Sequence, residues 1–329
     1  MKKVFALALV LVMVISLSVG AFAEGKKIAF LVSDLAETFH QASYEAGKEF
    51  AAEKGDEVIV FDGAGEAADQ IKMLDQFLAQ GIDMATMHVW ENEAALPALN
   101  DLLDNGVVCA SFFGPIVGSG IPAVRNDEAG VSYQMGVEMA TAWKEANPDT
   151  PIVMVELGWP NHEQVRSGRT DPFVEGVLSV DPEAKDLGCK EANNADEGKS
   201  VLAGILSANP EVNLIYAESG GICKGVLSAL EDAARGTTAT ELVCTCDFDD
   251  TQFFQIYGDS SLVCSLGLSP KETGKARVEY LYKIADGEIA QVSDVEEEVF
   301  CGATTISVYS MTREETAQWL ADEWGIDVE

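Results

Sequence analysis

The sequence predicts an α/β protein built on parallel sheets, and three observations lead there. Residues 26–55, KKIAFLVSDLAETFHQASYEAGKEFAAEKG, hold a short branched apolar run, a polar turn and a helix-period stretch closed by a glycine. The same strand-then-helix unit recurs along the chain, and strands alternating with helices of roughly 10 to 20 residues mean parallel crossovers. The series then restarts after residues 121–127, IPAVRND. That restart predicts two similar sheets joined by a linking strand rather than one continuous sheet.

Taken in order, residues 28–32 are too few for a helix and rich enough in branched side chains for a buried strand. After the turn at 33–38, Phe39, Ala42, Ala46 and Phe50 fall at helical spacing until Gly55. A strand over 57–61 follows. A helix over 67–80 carries Ile71, Leu74, Phe77 and Leu78 on one side. Apolar runs predict further strands over 84–89, 107–112, 152–157, 214–217, 242–246 and 262–266. Amphipathic stretches predict helices over 93–103, 128–146, 165–179, 197–208, 223–234 and 270–285. The rhythm breaks after an acidic stretch at 294–298: strands are expected over 299–301 and 304–308, then a helix over 313–324. Thr312 before that helix, with Glu315 three residues on, has capping-box spacing.

The first 23 residues differ in kind. Lys2 and Lys3 precede an almost unbroken apolar run over 4–19 and then Ala21-Phe22-Ala23. A basic start, an apolar middle and an A-x-A end read as a secretory signal peptide cleaved before Glu24, giving a periplasmic or secreted product. A helix over that run would reach roughly 24 Å, short of a hydrocarbon core of roughly 30 Å, so the chain is not read as membrane-spanning. The formal charge is −34. Removing two lysines and no acids with the leader takes it to −36. Such a chain repels nucleic acid and anionic membrane, which excludes both as partners. Seven cysteines, at 109, 189, 223, 244, 246, 264 and 301, form no C-x-x-C pair, and there are three histidines, so a zinc site is not expected. Several cysteines sit inside apolar runs, as small buried hydrophobes do. A Cys244–Cys264 pair on neighbouring strands is one open pairing. No cofactor is expected. No G-x-S-x-G elbow, P-loop or H-E-x-x-H is present, so the chain is not read as an enzyme.

Several stretches together resemble one family. Besides the opening segment they are QIKMLDQFLAQGID, RNDEAG, RTDPFVEG, LIYAESGGICKGVLSALEDA, CTCDFDD and LGLSPKETGKARVEYL. Their order and spacing are similar to those of type 1 periplasmic binding proteins of the ribose- and galactose-binding kind, a fold shared with the sensor domains of lactose-repressor-like regulators. The resemblance implies two Rossmann-like lobes with parallel sheets, joined by three hinge crossovers near 125–127, 267–270 and 299–302. One lobe would combine 24–125 with 269–298, and the other 126–268 with 299–329. No DNA-binding segment precedes the sensor fold, and the leader argues against a regulator.

The resemblance also implies a ligand cleft between the lobes, lined by loops at the carboxyl ends of strands. On the first side it nominates Ser33, Glu37, Phe39 and His40, with Phe39 either covering a sugar ring or seeding its helix, and His40 a contact or an exposed helix-start residue. Trp90, in HVWEN, reads as a lid or as core. Where sugar binders commonly show Asp-Arg, this chain has Phe112 and Phe113, which either stack on a flatter ring or finish a buried strand face. On the second side the candidates are Trp159, Arg166 (with Ser167 as the alternative), Arg169 as a brace, Ser219 and Asp247, whose rival role is an N-cap. Ala195 and Leu268 stand where an aromatic and a polar hinge residue are frequent. The resulting expectation is an exported, monomeric solute-binding protein that captures a small sugar-like ligand and delivers it to an ABC transporter permease. The alternatives are a nucleoside or other ring-compound binder, a sensor docking to a membrane receptor, and a secreted hydrolase or isomerase acting on a small carbohydrate.

Overall fold

The computed structural model describes residues 25–294 and 297–328; the leader and its cleavage before Glu24 lie outside the described residues. Strand β1 (Lys27–Val32), helix α1 (Thr38–Ala52), β2 (Glu57–Asp62), α2 (Ala67–Gln80), β3 (Met84–His88), α3 (Asn92–Asp104), β4 (Val108–Phe112) and β5 (Ala123–Asn126) come first. They build a six-stranded sheet of order β12-β5-β4-β3-β1-β2, completed by β12 (Glu298–Cys301), and every pair in it is parallel. Because β1 has β2 on one side and β3 on the other, the winding reverses there. The loops after β1 and β3 therefore part and leave a crevice at their carboxyl ends.

The second sheet repeats the plan. Helix α4 (Glu128–Ala146) leads to β6 (Val153–Gly158), and β9 (Leu214–Ala217), β10 (Leu242–Thr245) and β11 (Leu262–Leu268) follow, separated by helices. The order is β13-β11-β10-β9-β6-β7, with β7 (Lys185–Asp186) at the edge and the short β8 (Lys190–Glu191) also on β6. Only β13 (Ala303–Ser307) runs antiparallel, against β11. Both faces of each sheet carry a buried apolar cluster under flanking helices, as parallel sheets require.

Helix α10 (Pro270–Ala285) returns to pack on α1 of the first sheet. The two helices meet at glycines: a Cβ on Gly274 would stand 1.8 Å from Ser43 O, so only a bare backbone permits the contact. The chain crosses between the sheets after Asn126, after Leu268 and after Cys301. One side chain ties these crossings together. Asn126 Nδ2 donates to Thr273 Oγ1 at 2.7 Å and to the carbonyls of Gly302 and Cys301 at 3.2 and 3.3 Å.

Three local features differ from the sequence expectation. The single helix expected over 165–179 is a short α5 (Glu163–Val165), a π-turn Arg166–Thr170, and α6 (Asp171–Val180). A seven-residue helix, α9 (Asp250–Ile256), is capped by Asp249, which accepts from Gln252 N at 2.7 Å. Its brevity leaves too few periods for a pattern to register. The two-residue strands β7 (Lys185–Asp186) and β8 are shorter than any alternation signal. All seven cysteines are unpaired, although Cys244 and Cys264 are partners in the β10–β11 register. The capping box at Thr312 and Glu315 forms and opens α11 (Arg313–Trp324).

Candidate functional site

The carboxyl ends of β1, β3 and β4 face those of β10 and the π-turn across a cavity of about 720 Å³. On the first side, Ser33 follows β1 directly, and its Oγ lies 2.8 Å from His40 Nε2. Glu37 Oε2 lies 3.4 Å from the same nitrogen. His88 ends β3. Its Nε2 accepts from the Trp90 indole N–H at 3.3 Å. An indole nitrogen only donates, so the His88 ring carries its proton on Nδ1, which has no partner although the residue is 5% exposed. The His40 and His88 rings sit edge to face at 5.4 Å. Phe112 closes β4 and stacks on Phe39 at 6.5 Å, and Phe113 lies 5.1 Å from His88.

Behind this wall sits Arg277 of α10, fully buried. Its guanidinium covers Phe112 at 4.3 Å and Phe30 at 3.7 Å. It donates to Thr86 Oγ1 at 3.0 Å and to the Leu31 carbonyl at 2.8 Å, and among the described residues no carboxylate pairs with it. Burial, with Arg277 adding to it, pushes His40 down to about 4. Burial, His40 and Arg277 hold His88 well below the ordinary histidine value. Both rings are therefore neutral at physiological pH, so the wall is aromatic and uncharged but retains polar nitrogens.

The second side is acidic. Arg169 forms a two-pronged pair with Glu128, at 3.0 and 3.2 Å, donates to the Glu218 carbonyl at 2.8 Å, and lies 3.4 Å from Asp247. Asp247 follows β10 with φ 62°, and Phe113 across the cavity has φ 74°. Aspartate visits the left-handed region more readily than most residues, but phenylalanine does not, and strain of the Phe113 kind collects where a side chain must be aimed. Gln252 Nε2 holds the Asp247 carbonyl at 3.0 Å. Partial desolvation by the surrounding walls pushes the Asp247 carboxyl up, against the pull of Arg169, although the side chain stays 46% exposed. Glu37 is pushed up as well, by burial and then by Asp34 and Asp247.

The structure brings Ser33, Glu37, Phe39, His40, Trp90, Phe112, Phe113, Arg169 and Asp247 together around this cavity. Asp247 is not the helix cap, because Asp249 is. Three candidates lie elsewhere. Trp159 packs against the apolar core of the second sheet, its backbone N–H on Glu218 Oε2 at 2.5 Å. Arg166 pairs with Asp171 at 2.9 Å in a separate recess with Glu156 and Asp186. The extra residue in the π-turn rotates Arg166 away from the cavity and aims Arg169 at it, a register shift that a regular helix would not make. Ser219 caps α8 (Gly220–Asp232), accepting from Ile222 N at 3.3 Å.

Sequence reasoning missed several lining residues. His88 and Glu128 carried a usable signal: one ends a strand, and the other opens a helix at the first crossover. Trp324 and Ile326 did not, because they arrive from the chain's end, more than 200 residues after the wall they complete. Leu268 lines the cavity at the second crossover. Among the described residues no group of three or more His, Cys, Asp and Glu converges as metal ligands.

A family model described as periplasmic binding protein domain matches residues 28–289. No curated protein matches the chain. Among solved structures, the 5-methylthioribose transporter solute binding protein of Thermotoga lettingae is similar at 16% identity and TM-score 0.67, covering 92% of this chain and 88% of that one. The Caulobacter myo-inositol binding protein is similar at 19% identity and TM-score 0.65, with 89% and 96% covered. A carbohydrate transporter solute binding protein from Agrobacterium radiobacter, complexed with D-arabinose, gives 19% identity and TM-score 0.67, with 89% and 97% covered.

Proposed function

The chain belongs to the periplasmic binding protein domain family, a family of solute-binding proteins rather than enzymes, and from that premise we propose that it captures a sugar or sugar-like ring in the interlobe cleft and delivers it to an ABC transporter permease. The observation that carries this reading is the cavity itself. Its volume falls within the range of about 300–1,000 Å³ usual for small-molecule sites, and its walls divide the work. The Phe39–Phe112–Phe113 wall suits the apolar face of a ring, and Asp247, Arg169, Glu37 and the two neutral histidines suit its hydroxyls.

Closure follows from the connections. The lobes, 24–125 with 269–298 and 126–268 with 299–329, turn about the crossings joined by Asn126, and a ligand touching both sides favours the closed form by its differential contacts. The protein is exported, loses its leader before Glu24 and acts as a monomer in the periplasm. Among the described residues no helix is long and apolar enough to cross a membrane, so the permease supplies the passage and its ATPase the energy. The aromatic pair where sugar binders carry charge favours, as a second reading, a ring with a larger apolar face such as a nucleoside.

Thermal denaturation against sugars, polyols, nucleosides and amino acids tests both. A ligand at 100 times its dissociation constant adds about 2.7 kcal/mol. A shift with a sugar supports the first reading and a shift with a nucleoside alone the second, whereas a shift with amino acids alone refutes both.

A further inference from the structure

The cavity is not evenly charged. Among the described residues five carboxylates line it, those of Glu37, Glu128, Asp247, Asp249 and Asp250, against one guanidinium, Arg169. That guanidinium is already committed to Glu128 and Asp247. Glu37 lines the cavity from the first side and Asp247 from the second, and the Asp247 charge adds to the cost of ionising Glu37. The opposite wall is aromatic, and its cation, Arg277, is screened from the cavity by the Phe112 ring. A field therefore runs across the space, positive behind the rings and negative at the acids.

A second feature of the same cavity points to a ring ligand. Phe39, Phe112 and Phe113 line it together with the neutral His88 ring, 5.1 Å from Phe113, and give it an aromatic face opposite the acids. The occupant thus needs a ring to lie on that face and a positive charge to sit among the carboxylates.

We propose that the cleft selects a ring ligand bearing a protonated amine together with hydroxyls, of the amino-sugar class, over its neutral counterpart. This deepens the solute-binding reading and rests on it. The ammonium lies between Glu37 and Asp247, where it relieves their repulsion, and the ring edge lies toward His88 and Phe113. Aromatic faces nearby add cation–π attraction.

Isothermal titration of the purified protein with three matched pairs tests it: glucosamine and glucose, galactosamine and galactose, mannosamine and mannose. In at least one pair the amine binds about tenfold tighter or more, and Glu37→Gln, a change at a solvent-facing side chain, cuts that ratio by about threefold or more. Equal or tighter binding of the neutral member in every pair that binds overturns the inference and leaves the sugar reading standing. An amine preference untouched by Glu37→Gln also overturns it, because the charge pairing would then lie elsewhere. If none of the six binds, the inference falls, and the wider thermal panel decides the solute-binding reading separately.

Discussion

Replacing Arg169 by methionine keeps the bulk of the side chain and removes its charge. The cost follows from its surroundings. Arg169 is 12% exposed and its partner Glu128 14%. The pair is two-pronged at 3.0 and 3.2 Å, with a third hydrogen bond to the Glu218 carbonyl at 2.8 Å. An exposed pair would contribute about 0–1 kcal/mol. Breaking one this enclosed strands a carboxylate in a poorly solvated site and costs about 3–5 kcal/mol. Asp247, 3.4 Å away, loses its counter-charge as well. Urea unfolding should therefore show a midpoint shift at unchanged slope equivalent to about 3 kcal/mol or more, and adding Glu128→Gln should recover most of it. A single-variant loss below about 1 kcal/mol, or no recovery in the double variant, would refute the claim that this pair is the buried brace of the second wall.

Other predictions are narrower. Phe113→Ala should weaken the bound ring by about tenfold, whereas Arg166→Ala, in the separate recess, should leave affinity within about twofold; titration calorimetry on the two variants reverses the site assignment if their order is reversed. Glu156, 1% exposed on β6, has its carboxyl pushed up to about 8 by burial and by Asp186. A raised carboxyl stabilises the fold fully below its unfolded value near 4.5, and that contribution is lost as pH rises towards 8. Unfolding measured from pH 5 to 9 should show stability falling over this window, with Glu156→Gln flattening the profile; parallel profiles would contradict it. His40, depressed to about 4, works in the other sense. Its contribution is present above 6.5 and is lost as pH falls from 6.5 through 4, so His40→Gln should remove that part of the acid limb.

Much of the fold was legible because its helices are long and its strands are buried on both faces. The helices α2, α4 and α10 keep the residue limits that their apolar periodicity predicts. The first wall was legible for a related reason: Ser33, Phe112 and Phe113 stand at the carboxyl ends of predicted strands, where the resemblance to sugar binders implies ligand contacts. The second wall was less so. Arg166, expected as a contact, and Arg169, expected as a brace, are separated by a π-turn that leaves only Arg169 at the cavity, and a single extra residue in a helix leaves no trace in side-chain periodicity. The left-handed turn at Asp247 and the arrival of Trp324 from the chain's end depend on tertiary packing, which local pattern does not encode.

The central claim, a ligand held between both walls, is tested most directly by amide hydrogen exchange with and without the first panel compound that stabilises the protein. The account predicts slowed exchange in 33–40, 88–90 and 112–113 from one side and in 166–170 and 247–250 from the other, all in the same bound state. Protection confined to one side, or to the recess at Glu156 and Arg166, would contradict it.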